Sequence, residues 1–352
     1  MYKFLIRPLF FLIDPEKVHH QVVSLLKFGM MIPGIKQIIR GSTRVNDQRL
    51  HRNLFGLHFE NPVGIAAGFD KNASCYTELA DLGFGFIEIG TVTPKGQPGN
   101  PKTRLFRLPH DHALINRMGF NNHGLDAAVE NLKKRRTKAI IGGNLGKNTS
   151  TPNAEAVNDY VTVFNGLFDY VDYFVVNVSC PNITDLRELQ DQEVLINILQ
   201  KIQQINKAKK HPKPVLLKVS PDLNEAQLDE VIDLAGKQLI EGVVAVNTTI
   251  TRNGLTTSES EIKSIGNGGL SGKPLKQRAT EVIRYLSEKS GKAFPIIGVG
   301  GIETPEDAIE KLEAGADLIQ VYTGFIYEGP FIAKKINRQI IRNLSKNNDN
   351  KN

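Results

Sequence analysis

The chain has 352 residues, of which 40% are apolar and 23% are charged, and its formal net charge is +7. This composition is that of an ordinary globular protein, and it excludes collagen, a coiled coil and a wholly disordered chain. The mild basic excess is compatible with an anionic substrate, a membrane surface or a nucleic acid, and it does not choose among them. The two cysteines, Cys75 and Cys180, are too few for a disulfide framework. Nothing in their number contradicts a reducing cytosolic compartment.

The first 42 residues differ from the rest of the chain. The apolar run that opens the sequence is interrupted by Arg7 and Pro8, so it is shorter than the roughly 20 residues that a spanning helix needs. Asp14 as N-cap, with Pro15 at the first helical position, predicts the start of a further helix. These helices could pack on the protein as ordinary amphipathic helices. The interpretation we favour is an extension that lies on a membrane, with head-group contacts from Lys3, Arg7, Lys17, Lys27, Lys36 and Arg40.

From about residue 60, a short apolar run followed by a helical pattern recurs eight times. The predicted strands are Val63–Ala67, Phe86–Gly90, Ala139–Asn144, Tyr173–Val178, Val215–Val219, Gly242–Val246, Pro295–Val299 and Asp317–Val321. Apolar strands that alternate with helices indicate a parallel sheet covered on both faces. Eight such units predict an α/β fold of the (β/α)8 TIM-barrel type. An open doubly wound sheet is the alternative, but no dinucleotide-type glycine fingerprint follows the first strand.

The chain is therefore divided into three predicted parts. These are a helical membrane-associating extension over residues 1–42, a barrel over 43–340 and a disordered polar tail over 341–352. The connections between the second and third strands and between the sixth and seventh strands exceed a plain crossover. They are predicted to hold extra loops over the active face.

Polar residues gather where the predicted strands end, which is where the active site of such a barrel lies. Side chains of Asn, with paired donors and acceptors, suit a planar ring that carries N–H and C=O groups. Lysines suit negative charge on a carboxylate or a reduced ring, and glycines after strands seven and eight suit a phosphate. Together they predict a phosphorylated flat cofactor beside a small carboxylated heterocycle. The residues are Lys71, Asn144, Asn177, Asn182, Lys218, Asn247, Gly300 and Gly301.

Other kinds of site have no support in the sequence. The eight histidines show no ligand spacing with one another or with cysteine, so no metal site is predicted. No P-loop or GxSxG motif occurs. Basic residues are not interleaved with aromatic ones, so nucleic-acid binding is not expected.

Cys180 is the most informative single residue. A cysteine after a strand is more often a small buried filler. Cys75 is predicted to lie within the first barrel helix and to belong to the core. Cys180, however, lies between Asn177 and Asn182 at the predicted active rim. A thiol in that position can act as a nucleophile or as a general base.

Nine segments, taken together and in order, resemble the dihydroorotate dehydrogenase family, which contains flavin enzymes of pyrimidine synthesis. The likeness extends from about residue 8 to residue 335. The amphipathic N-terminus and the LSGKPL segment resemble the membrane-associated, quinone-using class 2 branch. The segments are AAGFDKN from Ala66, GTVTPKGQPGNPKTRLFRL from Gly90, NRMGFNN from Asn116, NVSCPN from Asn177, LKVSPDL from Leu217, VNTTI from Val246, GGLSGKPL from Gly268, IGVGGI from Ile297 and VYTGFIYEGP from Val321.

The resemblance implies an activity and a set of site residues. Dihydroorotate would be oxidised to orotate, with FMN as hydride acceptor and a membrane quinone as final acceptor. Cys180 would be the base that takes a proton from C5, and Lys218 would stabilise negative charge on the reduced flavin. FMN would be held by Ala67, Gly68, Lys71, Thr91, Asn144, Asn177, Lys218, Val246, Gly272, Gly301, Tyr322 and Thr323. The substrate would be bound by Lys71, Asn116, Arg117, Met118, Gly119, Phe120, Asn177, Asn182, Asn247 and Thr248. His19, Arg107 and Tyr322 match positions near the quinone channel.

The sequence departs from the class 2 pattern at two places. Class 2 enzymes usually carry Ser as the base, whereas this chain has Cys180, the residue type of class 1. Because thiols have a pKa near 8.5 and hydroxyls a far higher one, Cys180 would be the easier base, and Ser179 is a weaker alternative. After Asn182 the family usually has Thr-Pro-Gly, and this chain has Ile183-Thr184-Asp185.

Three functional hypotheses follow. The leading one is a quinone-dependent enzyme, peripheral on the cytoplasmic side of the cell membrane. The second is a soluble class 1-type dihydroorotate dehydrogenase that uses fumarate or NAD, an idea prompted by Cys180 and opposed by the N-terminal helices. The third is a non-catalytic membrane-associated barrel that only binds a flavin or a pyrimidine.

Overall fold

The computed structural model describes residues 2–178 and 192–349. Its strands are β1 (Arg52–Leu54), β2 (Leu57–Phe59), β3 (Val63–Ile65), β4 (Phe86–Val92), β5 (Lys95–Gln97), β6 (Leu105–Leu108), β7 (Ala113–Asn116), β8 (Asn122–Gly124), β9 (Ile140–Leu145), β10 (Tyr173–Asn177), β11 (Val215–Val219), β12 (Gly242–Ala245), β13 (Gly269–Gly272), β14 (Ile296–Val299) and β15 (Leu318–Val321). Its α-helices are α1 (Arg7–Phe11), α2 (Pro15–Met31), α3 (Ile35–Thr43), α4 (Tyr76–Asp81), α5 (Leu125–Leu132), α6 (Ala156–Leu167), α7 (Gln192–Lys207), α8 (Glu225–Gly236), α9 (Glu259–Ile265), α10 (Lys276–Lys289), α11 (Pro305–Glu313), α12 (Thr323–Glu328) and α13 (Ile332–Asp349).

Eight of these strands form a closed parallel barrel. Around the barrel they follow chain order, β3, β4, β9, β10, β11, β12, β14 and β15, and β15 pairs with β3 to close it. The eight predicted strands are therefore confirmed, with ends that shift by no more than two residues. The TIM-barrel prediction is confirmed, and the open sheet is wrong.

The barrel is closed by side chains at the end opposite the active face. The hairpin of β1 and β2 packs Phe59 edge-on against Phe86, with 5.5 Å between ring centroids. Gly64 in β3 leaves room for the Phe86 ring, since a Cβ at that position would lie 2.5 Å from it. The interior is therefore a packed core on which the active face rests.

The two long connections meet over the active face, as predicted. Strands β6 and β7 come from the connection between the second and third barrel strands, and β13 comes from the connection between the sixth and seventh. They pair as one antiparallel sheet, in the order β13-β7-β6. This small sheet forms one side of the pocket described below.

The N-terminal residues form three α-helices, of which α1 and α2 pack beside this sheet at β6 and α3 packs on α4. Asp14 caps α2 by accepting a hydrogen bond from the Lys17 N–H, as the sequence predicted. Of the twelve large apolar side chains that are exposed in the described residues, ten lie between residues 4 and 38. In the part of the chain that the structure describes, no single helix has both the length and the composition to cross a membrane. The pair α2 and α3 would pass that test together, but it is bent by 113°.

Two local expectations differ from the structure. The disordered tail predicted over 341–352 is wrong for residues up to 349, because α13 continues to Asp349. Its apolar residues Ile336 and Ile340 are buried against the barrel, and Ile341 and Leu344 pack beside them. This burial of one apolar face stabilises the helix, although most of its sequence is polar. Cys75 is buried, as predicted, but it is the N-cap residue of α4 and precedes the helix.

A buried ion pair fastens α2 to the loop that precedes β6. The Arg104 guanidinium donates to Glu16 Oε1 at 2.7 Å and to Glu16 Oε2 at 3.2 Å. The side chains of Glu16 and Arg104 are only 10% and 7% exposed. The hydrogen bond from Arg104 holds the pKa of Glu16 below its ordinary value of 4.5, against the opposing effect of burial.

Glu16→Ala is expected to lower the free energy of unfolding by about 3 kcal/mol, because it leaves the Arg104 charge buried without its partner. Since folding lowers the pKa of Glu16, the stabilisation is present above pH 4.5 and is lost as the pH falls through the folded-state pKa. Urea unfolding at pH 7 and pH 3 measures both effects. Glu130→Ala, which removes an exposed ion pair with Lys133, serves as control and is expected to change nothing measurable. An equal loss in the two variants would contradict the assignment.

Candidate active site

A pocket opens at the carboxyl ends of the barrel strands, where the sequence placed the polar rim. The predicted cofactor and substrate residues that line it are Ala67, Gly68, Lys71, Thr91, Asn116, Met118, Gly119, Phe120, Asn177, Lys218, Val246, Asn247, Thr248, Gly272, Gly301, Tyr322 and Thr323. Strand ends and the β13-β7-β6 sheet thus bring together segments that lie far apart in the sequence.

The floor of the pocket is a chain of hydrogen-bonded side chains. Asn144 Nδ2 donates to Glu88 Oε1 at 2.7 Å, and Asn144 Oδ1 accepts from Thr91 Oγ1 at 2.5 Å and from Asn177 Nδ2 at 3.2 Å. Asn177 Oδ1 in turn accepts from Asn247 Nδ2 at 3.3 Å. Asn144 is fully buried beneath the pocket lining. It contacts the pocket only through its hydrogen-bond partners Thr91 and Asn177, which line it.

Lys218 stands beside this chain on β11. Its Nζ lies 3.9 Å from Glu88 Oε1, and its side chain is only 6% exposed. The second carboxylate oxygen of Glu88 accepts from Gln320 Nε2 at 2.7 Å. A cation held in this way at the pocket floor can stabilise negative charge on a bound ring.

The opposite end of the pocket is formed by glycines and hydroxyls. Gly301 has φ +69°, and a Cβ there would lie 2.3 Å from Lys276 Cα, so only glycine fits this approach. Ser271 and Thr323 share a hydrogen bond of 2.8 Å between their hydroxyl groups. Backbone N–H groups and hydroxyls of this kind suit a phosphate. An amide-rich floor, a lysine and a glycine-lined end therefore fit a phosphorylated flavin.

Several residues at the glycine-lined end were missed by the sequence analysis. The His112 ring stacks on Tyr327 with 5.0 Å between centroids, and its Nδ1 is hydrogen-bonded to Glu303 Oε1. Lys273 lines the same end of the pocket. Lys273 and Tyr327 lie within the quoted segments GGLSGKPL and VYTGFIYEGP, but no role was assigned to them. No motif marks His112 or Glu303, because the β6–β7 turn and the loop after β14 meet only in the folded chain.

Three predicted substrate or catalytic residues are not placed in the pocket. Arg117 does not line it: its guanidinium donates to the backbone carbonyls of Ile265, Asn267 and Thr103 and lies 4.6 Å from the Phe106 ring centroid. The Arg117 guanidinium thus fastens loops beside the site, and the assignment of Arg117 to the substrate stays a prediction. Cys180 and Asn182 lie outside the described residues.

A second cavity, of about 380 Å³, lies between the N-terminal helices and the barrel. All three predicted quinone-channel residues, His19, Arg107 and Tyr322, line it, and it shares four lining residues with the first pocket. The shared residues are Gly68, Lys71, Met118 and Tyr322. The two cavities therefore meet at a wall only one layer of side chains thick.

The surroundings of the second cavity keep two of its ring side chains uncharged and hold one arginine in place. Desolvation lowers the pKa of His19 to about 4, with further lowering by His20 and Lys71, so its imidazole is neutral at pH 7. Desolvation raises the pKa of Tyr322 to about 12, so its phenol is neutral as well. Arg107 donates to the Ile13 carbonyl at 2.7 Å and lies 4.6 Å from the Phe11 ring centroid. The lining thus combines two neutral rings, an arginine tied to the N-terminal segment, the Lys71 side chain and the ion pair of Glu16 with Arg104.

Known proteins match this chain over nearly its whole length. The model of the family described as dihydroorotate dehydrogenase matches residues 49–344. Dihydroorotate dehydrogenase (quinone) of Christiangramia forsetii is 59% identical over 341 residues, which cover 97% of this chain and 99% of that protein. The protein of the same name from Roseiflexus sp. is 46% identical and covers 97% and 93%.

Solved structures agree with the sequence relatives. A crystal structure of DHODH from Eimeria tenella in complex with ferulenol superposes with a TM-score of 0.84 at 34% identity, covering 95% of this chain and 93% of that one. The family resemblance seen in the nine sequence segments is confirmed by these matches. The chain belongs to the dihydroorotate dehydrogenase family.

Proposed function

We propose that this protein oxidises (S)-dihydroorotate to orotate in pyrimidine (UMP) biosynthesis, with bound FMN as first electron acceptor and a membrane quinone as final acceptor. The observation that carries the proposal is the pair of cavities. One is the pocket at the barrel ends, and the other is the cavity under the N-terminal helices, which shares Tyr322 with it. Quinone-dependent members of the family, at up to 59% identity, support the same acceptor.

The pocket residues divide into those that hold the cofactor and those that hold the substrate. The flavin supplies the hydride acceptor when it is bound. Backbone N–H groups near Gly301 and Thr323 bind its phosphate, and Lys218 stabilises negative charge on its ring. The substrate carboxylate and ring lie against Lys71, Asn116, Asn177 and Asn247. We assign the proton from C5 to Cys180, which follows β10 in the sequence and for which Ser179 is the weaker alternative.

The N-terminal helices supply the quinone access and the membrane contact. Exposed apolar side chains cluster on this part of the surface, and Phe4, Leu12 and Met31 are 82%, 84% and 77% exposed. A patch of this kind, flanked by basic residues, suits peripheral binding to an anionic membrane. We place the enzyme on the cytoplasmic side of the cell membrane, with residues 1–42 as the membrane-facing part. No nucleic acid is assigned as a partner.

The proposal is tested by visible absorption of the purified protein under anaerobic conditions. Flavin bands are expected, they should bleach when L-dihydroorotate is added, and they should return when a soluble quinone analogue follows. Bands that return with fumarate or NAD but not with quinone would instead support the soluble class 1-type enzyme. Bands that never bleach would support the non-catalytic barrel. Acid release and chromatography of the cofactor separates FMN from other flavins.

A further inference from the structure

The glycine-lined end of the first pocket is assembled from two parts of the molecule. Gly301 and Glu303 in the loop after β14, and Thr323 at the start of α12, belong to the barrel. His112 lies in the β6–β7 turn and belongs to the small β13-β7-β6 sheet. A ligand bound at this end is therefore enclosed between the barrel and the sheet. The contacts that join the two parts then govern how readily the ligand leaves.

His112 and Glu303 make such a contact. The Nδ1 atom of His112 is hydrogen-bonded to Glu303 Oε1, and the Glu303 side chain is only 13% exposed. Because an ionised carboxylate can only accept, the imidazole donates this hydrogen bond. The same ring stacks on Tyr327, another residue of the pocket lining, with an angle of 13° between the ring planes. Both contacts join the turn of the small sheet to the barrel.

The turn presents the His112 ring in a fixed direction. His112 has φ +47°, a left-handed backbone conformation that is uncommon for residues other than glycine. The chain approaches it closely, since a Cβ on Gly272 would overlap the His112 carbonyl oxygen, which accepts from the Lys273 N–H at 3.2 Å. Tyr327 Oη donates to the Ala113 carbonyl at 3.0 Å. A conformation of this kind costs free energy and persists where its surroundings hold it in place, often at binding sites.

The charge of Glu303 is unfavourable for a phosphate. A carboxylate that lines this end of the pocket repels an anionic group bound there. On charge alone, removal of Glu303 would therefore strengthen the binding of a phosphorylated cofactor. The hydrogen bond to His112 gives the carboxylate a different effect, because it draws the turn of the small sheet onto the barrel. The two effects act on cofactor binding with opposite signs, so an experiment can separate them.

We propose that His112 and Glu303 form a latch: their hydrogen bond fastens the small sheet to the barrel across the glycine-lined end and so slows the release of FMN. The inference rests on the proposed function, because FMN is the ligand placed there. The latch acts on retention of the cofactor and not on the chemical step, since Lys218 and the amides of the pocket floor lie at the other end of the pocket.

The test is the rate at which FMN dissociates from the loaded enzyme. Holoenzyme is mixed with an excess of isotope-labelled FMN, and the label that enters the protein is followed over time by gel filtration and mass spectrometry. We expect Glu303→Ala to release FMN about 10- to 100-fold faster, the effect of losing one hydrogen bond to a charged group. Reduction of the flavin by dihydroorotate in enzyme that is still loaded should keep its wild-type rate.

Glu306→Ala is the matched control. It removes a carboxylate three residues away that is exposed and absent from the lining of the pocket, so the dissociation rate should stay at the wild-type value. A general effect of lost negative charge would appear in both variants. The loss of the latch appears in Glu303→Ala alone.

Two substitutions at His112 separate the hydrogen bond from damage to the turn. Both glycine and asparagine tolerate a positive φ. His112→Gly has no donor and should release FMN as fast as Glu303→Ala. His112→Asn carries an amide nitrogen one bond from Cγ, as Nδ1 is, and should stay within about threefold of wild type. The double variant Glu303→Ala with His112→Gly should release FMN no faster than either single variant, because both lose the same bond.

Each result bears on one claim. Release from Glu303→Ala at or below the wild-type rate overturns the latch, since charge alone then accounts for the residue. Effects that add in the double variant, or a His112→Asn protein that releases FMN as fast as His112→Gly, overturn it as well. A wild-type protein that binds no FMN overturns the proposed function itself. Wild-type protein that holds FMN, beside variants that hold it equally long, overturns this inference alone.

Discussion

Replacing Cys180 with alanine is expected to slow the reduction of the bound flavin by dihydroorotate about 10²- to 10⁴-fold. This range is the usual contribution of a general base that removes a proton in the transition state. Stopped-flow absorbance under anaerobic conditions measures the step directly. The return of the flavin bands on addition of quinone should keep its wild-type rate, because that step does not need the base.

Cys75→Ala is the matched control for this variant. It makes the same chemical change at a buried cysteine, which is the N-cap residue of α4 and is absent from the lining of both cavities. Flavin reduction in Cys75→Ala should match wild type. If the Cys180→Ala enzyme reduces its flavin at the wild-type rate at pH 7, the base assignment is wrong, and Ser179→Ala becomes the next variant to measure.

Cys180→Ser gives the pH dependence of the same step. A thiol has an ordinary pKa near 8.5, and a hydroxyl has a far higher one. Flavin reduction by the serine variant should therefore be slower at pH 7 and should continue to rise at alkaline pH, where the cysteine enzyme has reached its plateau. Identical pH profiles for the two enzymes would mean that residue 180 does not carry the proton.

The sequence predicted the barrel well because its signal is local. Each barrel strand is a short apolar run bounded by small or polar residues, and each run lies in its predicted place with ends shifted by at most two residues. The rim was also predictable, since residues that follow parallel strands gather at one end of a barrel. Neither inference needs to know which strand lies beside which.

The parts that the sequence did not reveal depend on distant segments meeting. Glu88 was visible as the one charged residue in the run Phe86–Ile89, but its partners Asn144 and Gln320 lie 56 and 232 residues away. The pair of His112 with Glu303 likewise joins the β6–β7 turn to the loop after β14. Arg117 was assigned to the substrate by its place in a motif, whereas its direction is set by carbonyl groups in the segment before β13.

Val22→Trp is expected to lower turnover with quinone about 10- to 100-fold and to leave the reduction of the flavin by dihydroorotate unchanged. Val22 lies on α2 and lines the second cavity, between the N-terminal helices and Tyr322. A bulky ring inserted there fills space that a quinone head group needs. Overpacking costs about one to three kcal/mol, and an energy of that size corresponds to the expected 10- to 100-fold loss of turnover. Steady-state assays with a quinone analogue, beside anaerobic flavin bleaching, measure the two half-reactions separately.

Ser24→Trp is the control for a bulky residue on the same helix, because Ser24 is exposed and does not line the cavity. It should keep both half-reactions. A small water-soluble acceptor that reaches the flavin from the solvent side should also be reduced normally by Val22→Trp. If Val22→Trp reduces quinone as fast as wild type, electrons leave by another route, and the cavity under the N-terminal helices is not the quinone path. If Ser24→Trp loses quinone turnover as well, α2 affects turnover through its contact with the membrane and not through the cavity. In that case, deletion of residues 1–40 would lower quinone turnover only in assays that contain lipid.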